Sequence, residues 1–324
     1  MVPVSVIIPS FNSGRYLIPC VRSINQGGAP DEIIIVDDGS TDESTGVAEQ
    51  LSHKLPNVRW IRVDVNQGLV AARRRGVLAA GSEWVAHVDA DDRLEPGAVR
   101  NAYETVCRTG SDICVWQRYK TDAAGMRPHV ELDQTDFPMS GREAVRRTLG
   151  WWRMHGSGVS RRGLFLDAFD ALRETLEGDR FYHADELITR LVLSGAGAIA
   201  LCEKKYLYCS NPESISRVMN PGRLGILDSR MWQIQYCVDQ EFANDDLTRL
   251  IETSIGIATW AFRHRARLGS KKTIDKIVKL KSMIDSAMNS RGGLRLRPKY
   301  RVGNGLLAAL ASTQMFRRSP GRRA

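Results

Sequence analysis

No segment of this 324-residue chain approaches the roughly 20 consecutive apolar residues that a membrane-spanning helix needs. Cysteine is sparse. Cys20, Cys107, Cys114, Cys202, Cys209 and Cys237 stand apart, with no C-x-x-C pair and no histidine close enough to complete a zinc pattern, so they are read as buried, reduced thiols. The opening MVPVSVIIPSFNSG has no basic residue before Arg15, and its apolar run stops at Pro9, which does not fit a secretory signal. A cytoplasmic protein without a membrane span is the expectation. Glycine-rich phosphate loops are also missing: the first strand–helix turn reads PSFNSGRYL, neither G-x-G-x-x-G nor G-x-x-x-x-G-K-[ST], which sets aside dinucleotide-binding dehydrogenases and P-loop enzymes. Acidic residues disappear after Asp285, where nine Lys and Arg follow. Without those nine, 37 basic residues face 37 acidic ones, so the body is formally neutral and the end of the chain carries the excess.

What is present has ordinary globular proportions, 43% hydrophobic and 26% charged. At this length one large domain with a smaller appendage is expected, because single cores stop growing near about 250–300 residues. VSVII (4–8), EIIIVD (32–37), VRWIRV (58–63), EWVAHV (83–88) and DICVWQ (112–117) are short, β-branched and nearly continuous apolar runs, as strands covered on both faces are. Segments of helical period separate them, including GLVAARRRGVLAA and the stretch from Pro96 to Cys107. Alternating strands and helices imply βαβ units and a mainly parallel sheet flanked by helices. Pro19 predicts a late start or a kink in the first helix. Further helices are predicted at 141–149 and 184–194, and strands at AIALC (198–202) and YLYC (206–209). Amphipathic helical sequence runs from about 223 onward. The expected division is a domain of residues 1–222, a helical extension over 223–290 and a basic tail over 291–324.

Open parallel sheets bind ligands at the carboxyl ends of their strands. Three polar clusters fall there: Pro9-Ser10-Phe11-Asn12, Asp37-Asp38-Gly39-Ser40 and Asp89-Ala90-Asp91-Asp92. Three carboxylates in four positions repel one another, which a shared divalent cation would relieve. Hard oxygen donors suit Mg²⁺ or Mn²⁺, and Mg²⁺ is usually held by one or two carboxylates together with substrate phosphates. Helix capping or an Asx turn is the other use of short acids at such a place.

In order and spacing, VSVIIPSFNSGRYL, DEIIIVDDGSTDES, NQGLVAARRRGVLAAGSEWVAHVDADD, HADELITRL and YLYCSNPESIS resemble the family 2 glycosyltransferases over roughly residues 3–217. The resemblance implies a GT-A (Rossmann-like) fold and an inverting transfer of a sugar from a nucleoside-diphosphate donor, with UDP-sugar expected. The acceptor implied is a saccharide or a lipid-linked saccharide, in cell-surface or exopolysaccharide synthesis. Pro9 and Phe11 match positions beside the base, Asp38 a base-binding carboxylate, and Gly68 and Arg73 the segment flanking the nucleotide. Asp89 and Asp91 match the D-x-D motif that meets ribose and the Mn²⁺ or Mg²⁺ cofactor, with Asp92 a further ligand. Asp185 takes the place of the base that deprotonates the acceptor hydroxyl. The sequence departs from the family there: Ala184 stands where the acidic pair usually has Glu, and Glu186 follows, so Glu186 competes for the role and a catalytically silent GT-A module that binds nucleotide-sugar or glycan is the alternative. His183 is read as a surface residue.

Cys209 replaces a frequent arginine in the Tyr206–Ser216 segment, with Arg217 a candidate to compensate. Trp151 and Trp152 are either an acceptor platform or core. The basic end, interleaved with Leu294, Leu296, Tyr300, Leu306, Leu307, Leu310, Met315 and Phe316, has two readings: a segment lying on the anionic inner face of the plasma membrane, or a solvated tail. No nucleic-acid motif accompanies its charge.

Overall fold

The computed structural model describes residues 1–122, 125–130, 132–150, 154, 157–175, 184–209, 211 and 221–318. They divide into two compact units: Met1–Arg147, Arg153–Phe181 and Ile188–Glu213 form the first, and Thr148–Trp152, Tyr182–Leu187 and Ser214–Ala324 the second. His183, Trp151, Trp152 and Arg217 lie outside the described residues.

In the first unit, β1 (Val2–Ser10), β2 (Pro30–Asp38), β3 (Val58–Val63) and β4 (Trp84–His87) pair in parallel in the order β3-β2-β1-β4. The apolar runs of β1, β2 and β4 are buried on both faces, which is why they read as continuous rather than alternating. The sheet continues through β5 (Arg93–Leu94), β6 (Ile113–Asp122), β7 (Gly125–Pro128), β8 (Gly158–Arg161) and β9 (Ile199–Cys209). β8 runs antiparallel between β4 and β6, β9 lies parallel to β6, and the two-residue β5 pairs antiparallel with β9 at Arg93↔Leu207 and Leu94↔Tyr206. AIALC and YLYC, expected as two strands, are one. The intervening Glu203-Lys204-Lys205 interrupts the apolar pattern, and the pairing with β6 shifts register between Trp116 and Gln117.

The helices of this unit are α1 (Gly14–Asn25), α2 (Ser44–Lys54), α3 (Leu69–Ala79), α4 (Ala98–Thr109), α5 (Gly141–Thr148) and α6 (Arg162–Thr175), with α7 (Ala184–Gly195) shared between the units. α1 starts on time and runs through Pro19. α3 packs so closely on β1 that a Cβ on Gly76 would collide with Cγ2 of the fully buried Ile7 and meet its Cγ1 at 3.1 Å. Gly76→Ala is therefore expected to cost about 1–3 kcal/mol in urea unfolding, the usual range for overpacking. An unchanged midpoint would mean that α3 shifts freely on the sheet.

The second unit is helical: α8 (Gly225–Asp239), α9 (Asn244–Arg263), α10 (Arg265–Leu268), α11 (Ser270–Arg291) and α12 (Pro298–Arg318). Ile277, Leu280 and Ile284 of α11 and Leu250, Ile251 and Ile255 of α9 are fully buried, the spacing of amphipathic helices. Residues 291–318 of the basic stretch are folded within this unit. Leu296 and Leu307 are buried, and Arg297 is ion-paired with the buried Glu252, its Nε donating at 2.7 Å and its backbone N–H at 2.8 Å. Among the described residues no helix is long and apolar enough to cross a membrane.

Candidate active site

Parallel pairing brings the carboxyl ends of β1, β2 and β4 together, and side chains tie the first two loops to each other. Asn12 adopts φ 50°, a left-handed conformation that asparagine tolerates. Its N–H donates to Ser40 Oγ at 2.9 Å, and its Oδ1 accepts from the Thr41 N–H at 2.9 Å. Ser13 N–H donates to Ser44 Oγ at 2.8 Å, and Gly14 N–H to Asp42 at 3.3 Å. Asp37, fully buried, accepts from the Ser40 N–H at 3.1 Å and the Thr45 hydroxyl at 2.6 Å. On this frame Pro9 is buried at the strand end, while Phe11 keeps 37% of its surface exposed and is not core.

Asp38 draws in a third loop. Its buried carboxylate accepts from the Gln67 N–H at 3.0 Å and the Gly68 N–H at 2.7 Å. Gly68 sits at φ 96°, where a side chain would be strained, and caps the start of α3. One turn of α3 later Arg73 donates through Nη2 to Asp89 Oδ1 at 2.8 Å.

The three clustered aspartates have separate surroundings. Asp89 keeps 34% of its side chain exposed; burial would raise its carboxyl, but the guanidinium groups of Arg73 and Arg118 hold it below the usual range. Asp91 is partly buried and accepts from Asn211 Nδ2 at 2.9 Å. Its carboxyl lies above the usual range, through burial first and the Asp89 charge second. Asp92, expected above as a further ligand, is turned inward with 0% of its side chain exposed. The Tyr206 hydroxyl donates to its Oδ2 at 2.7 Å and the Cys209 N–H to its Oδ1 at 2.9 Å, while Arg118 Nη2 lies 3.4 Å away. Burial and the neighbouring Asp89 push the Asp92 carboxyl up to about 8.

Tyr206 joins these parts, since its hydroxyl also accepts the Asp89 N–H at 3.1 Å. Arg118 stacks on the Tyr206 and Tyr208 rings at 5.1 and 4.4 Å from their centroids. Tyr16 donates to Asn211 Oδ1 at 3.2 Å, so α1 also reaches the loop. Sequence reasoning flagged the Tyr206 segment but assigned no role to Arg118, Asn211 or Tyr16. The one local sign was Arg118, an arginine directly behind the apolar run of β6. At Cys209, where an arginine is frequent, the backbone N–H rather than the side chain serves the acid loop.

These donors fit a divalent cation in a specific way. Asp89 and Asp91 present hard oxygen atoms, and the Asp89 charge, which adds to burial in raising the Asp91 carboxyl, is a repulsion that a cation would relieve. Among the described residues no group of three or more His, Cys, Asp or Glu side chains is placed to hold a metal. The two aspartates thus suit an ion that takes its remaining ligands from phosphate oxygens and water.

Asp185 and Glu186 occupy the first turn of α7, within the second unit. Asp185 is partly exposed and has no hydrogen-bond or ion-pair partner among the described residues. Glu186 faces Arg230 of α8, with Nη2 and Oε2 3.9 Å apart.

The sequence model described as Glycosyl transferase family 2 matches residues 5–167, just over half of the chain. The glycosyltransferase GlyG of Streptococcus pneumoniae serotype 4 is 25% identical over 224 residues, 66% of this chain and 73% of that protein. The uncharacterized glycosyltransferase YibD of Escherichia coli K12 is 29% identical over 238 residues, 67% of this chain and 64% of that protein. Among solved structures, residues 1–349 of TarS from S. aureus in complex with UDP-GlcNAc superpose with a TM-score of 0.71 at 18% identity, covering 100% of this chain and 93% of that one. At that identity the likeness establishes the fold, which is the GT-A arrangement with C-terminal helices.

Proposed function

Because the chain belongs to glycosyl transferase family 2 and is a glycosyltransferase, we propose that it moves a sugar from a UDP-sugar to a saccharide or lipid-linked saccharide, with inversion, in the synthesis of a cell-surface or exported polysaccharide. The observation that carries this reading is the acid loop. Asp89, held by Arg73, and the half-buried Asp91 lie at the mouth of the parallel sheet beside the Asp38–Gly68 turn. The likeness to a structure holding UDP-GlcNAc supports a uridine donor. The silent-module alternative expects no Mn²⁺-dependent UDP release from either the wild type or Asp185→Asn.

In this reading the base lies between Pro9 and the exposed ring of Phe11, whose face stacks on uracil. Asp38 keeps the Gln67–Gly68 turn closed, and its Oδ1 retains a lone pair for an imide N–H. Arg73 holds the Asp89 carboxylate ionised. Asp89 and Asp91 would hold Mn²⁺ or Mg²⁺, which supplies positive charge where the leaving diphosphate oxygen becomes negative. Asp92 serves the loop: it ties residues 89–92 to β9 through Tyr206 and Cys209. Asp185 accepts the acceptor hydroxyl proton as the new bond to the anomeric carbon forms and the bond to the diphosphate breaks, so one displacement inverts the centre. A thermal-shift screen of nucleotides and nucleotide-sugars with and without Mn²⁺ tests the assignment, since stabilisation grows with ligand concentration relative to Kd. The largest shift is expected from a uridine ligand with Mn²⁺. A larger shift from NAD or ATP would overturn it.

We also propose that the basic end meets anionic lipid at the cytoplasmic face of the membrane. Arg297 is engaged by Glu252, but Arg295 and Lys299 are exposed, as is Leu306. Arg295→Glu with Lys299→Glu is expected to lower cosedimentation with phosphatidylserine vesicles several-fold at low salt, each charge near the surface being worth about 1 kcal/mol. Equal cosedimentation would exclude this surface.

A further inference from the structure

We infer that Arg230 is a positioning residue for Asp185, acting through Glu186; the inference rests on the reading of Asp185 as the base. Arg230 lies on α8 with its side chain 6% exposed, facing the 13% exposed side chain of Glu186 at 3.9 Å. Its Nη1 donates to Gln233 Oε1 at 3.0 Å, and Gln233 Nε2 donates to Ser229 Oγ at 3.0 Å, so α8 holds the guanidinium from behind. Arg230 Nε has no acceptor among the described residues. A charge pair this buried and this incompletely bonded is a poor source of stability, because the desolvation of both ions offsets their attraction. What it does supply is a tether from the start of α7 to α8.

The first turn of α7 needs such a tether. The N-terminal turn of a helix has no intrahelical acceptors for its first N–H groups and frays most readily. Neighbouring Cα–Cβ bonds on a helix leave the axis about 100° apart, so a first turn tethered at Glu186 sets where the Asp185 side chain leaves the helix. Ala184 contributes no carboxylate of its own. The two acids are thereby sorted: Glu186 is engaged and faces the α8 arginine, while Asp185, without a partner among the described residues, is free to take a proton.

The test uses full-length protein and UDP release with Mn²⁺ from whichever of UDP-glucose, UDP-galactose and UDP-GlcNAc the wild type turns over fastest. Arg230→Met alone takes a positive charge away from the buried Glu186 carboxylate and lowers the melting temperature, so the deciding variant is Arg230→Met with Glu186→Leu, which replaces the ion pair by apolar packing. That double variant is expected to melt within about 3 °C of wild type. Its kcat is expected to fall about tenfold to a hundredfold with KM for the donor within about twofold, the signature of a misplaced group. Arg230→Lys, which keeps the charge, is expected to recover part of the kcat. A double variant with wild-type kcat overturns the inference, as does one in which KM rises while kcat holds. Asp185→Asn distinguishes the two possible failures. If it leaves kcat intact, the base assignment falls. If it removes kcat while the double variant keeps it, only the role of Arg230 falls.

Discussion

Asp185→Asn is expected to lower kcat for transfer by about a hundredfold to ten-thousandfold, the contribution of a positioned general base, while Kd for UDP stays within about twofold. The amide is nearly isosteric with the carboxylate but cannot accept a proton at neutral pH. Its loss from the first turn of α7 removes a charge that complements the helix dipole, worth only about 0.3–1 kcal/mol at an exposed site, so the fold should survive. Steady-state kinetics beside UDP titration reads both quantities. Retained kcat in Asp185→Asn, with loss in Glu186→Gln, would transfer the role to Glu186.

Asp92→Ala should have the largest effect on stability, about 3–5 kcal/mol in denaturant unfolding. It leaves the buried Tyr206 hydroxyl and the Cys209 N–H without their acceptor and removes the 3.4 Å contact of Arg118. Asp92→Asn keeps an acceptor for Cys209 and should cost less than half as much. The comparison with Asp91→Asn separates anchor from ligand: Asp91→Asn should leave the unfolding midpoint nearly unchanged and abolish the effect of Mn²⁺ on UDP binding. An Asp92→Asn protein of normal stability that loses the Mn²⁺ effect as completely as Asp91→Asn would make Asp92 a ligand after all.

The parallel half of the sheet was legible because strands buried on both faces leave unbroken β-branched runs, as in EIIIVD and VSVII, and the loops that follow such strands are where ligands gather. The acid cluster was legible for the same reason: three like charges behind an apolar run demand a cause. The different fates of the three acids were not legible. Asp89, Asp91 and Asp92 are chemically identical in the sequence, and what separates them is distant: Arg73 lies 16 residues back, while Tyr206 and Asn211 lie 114 and 120 residues on. Nor could spacing reveal β5, whose two residues are too few to carry a pattern, although its pairing places Tyr206 and Cys209 against Asp92. The length of β9 was hidden by Glu203-Lys204-Lys205. Those charges lie in the less buried part of the strand and break the apolar period without breaking the ladder.

The claim on which the mechanism rests is that Asp89 and Asp91 hold a divalent ion against a diphosphate. Isothermal titration of UDP into wild type and into Asp89→Asn/Asp91→Asn, each with and without Mn²⁺, addresses it directly. Mn²⁺ is expected to tighten UDP binding to the wild type, and the double variant should show no Mn²⁺-dependent gain, even though release of Arg73 from Asp89 leaves its metal-free affinity equal or higher. A Mn²⁺-dependent gain of the same size in both proteins would contradict the account.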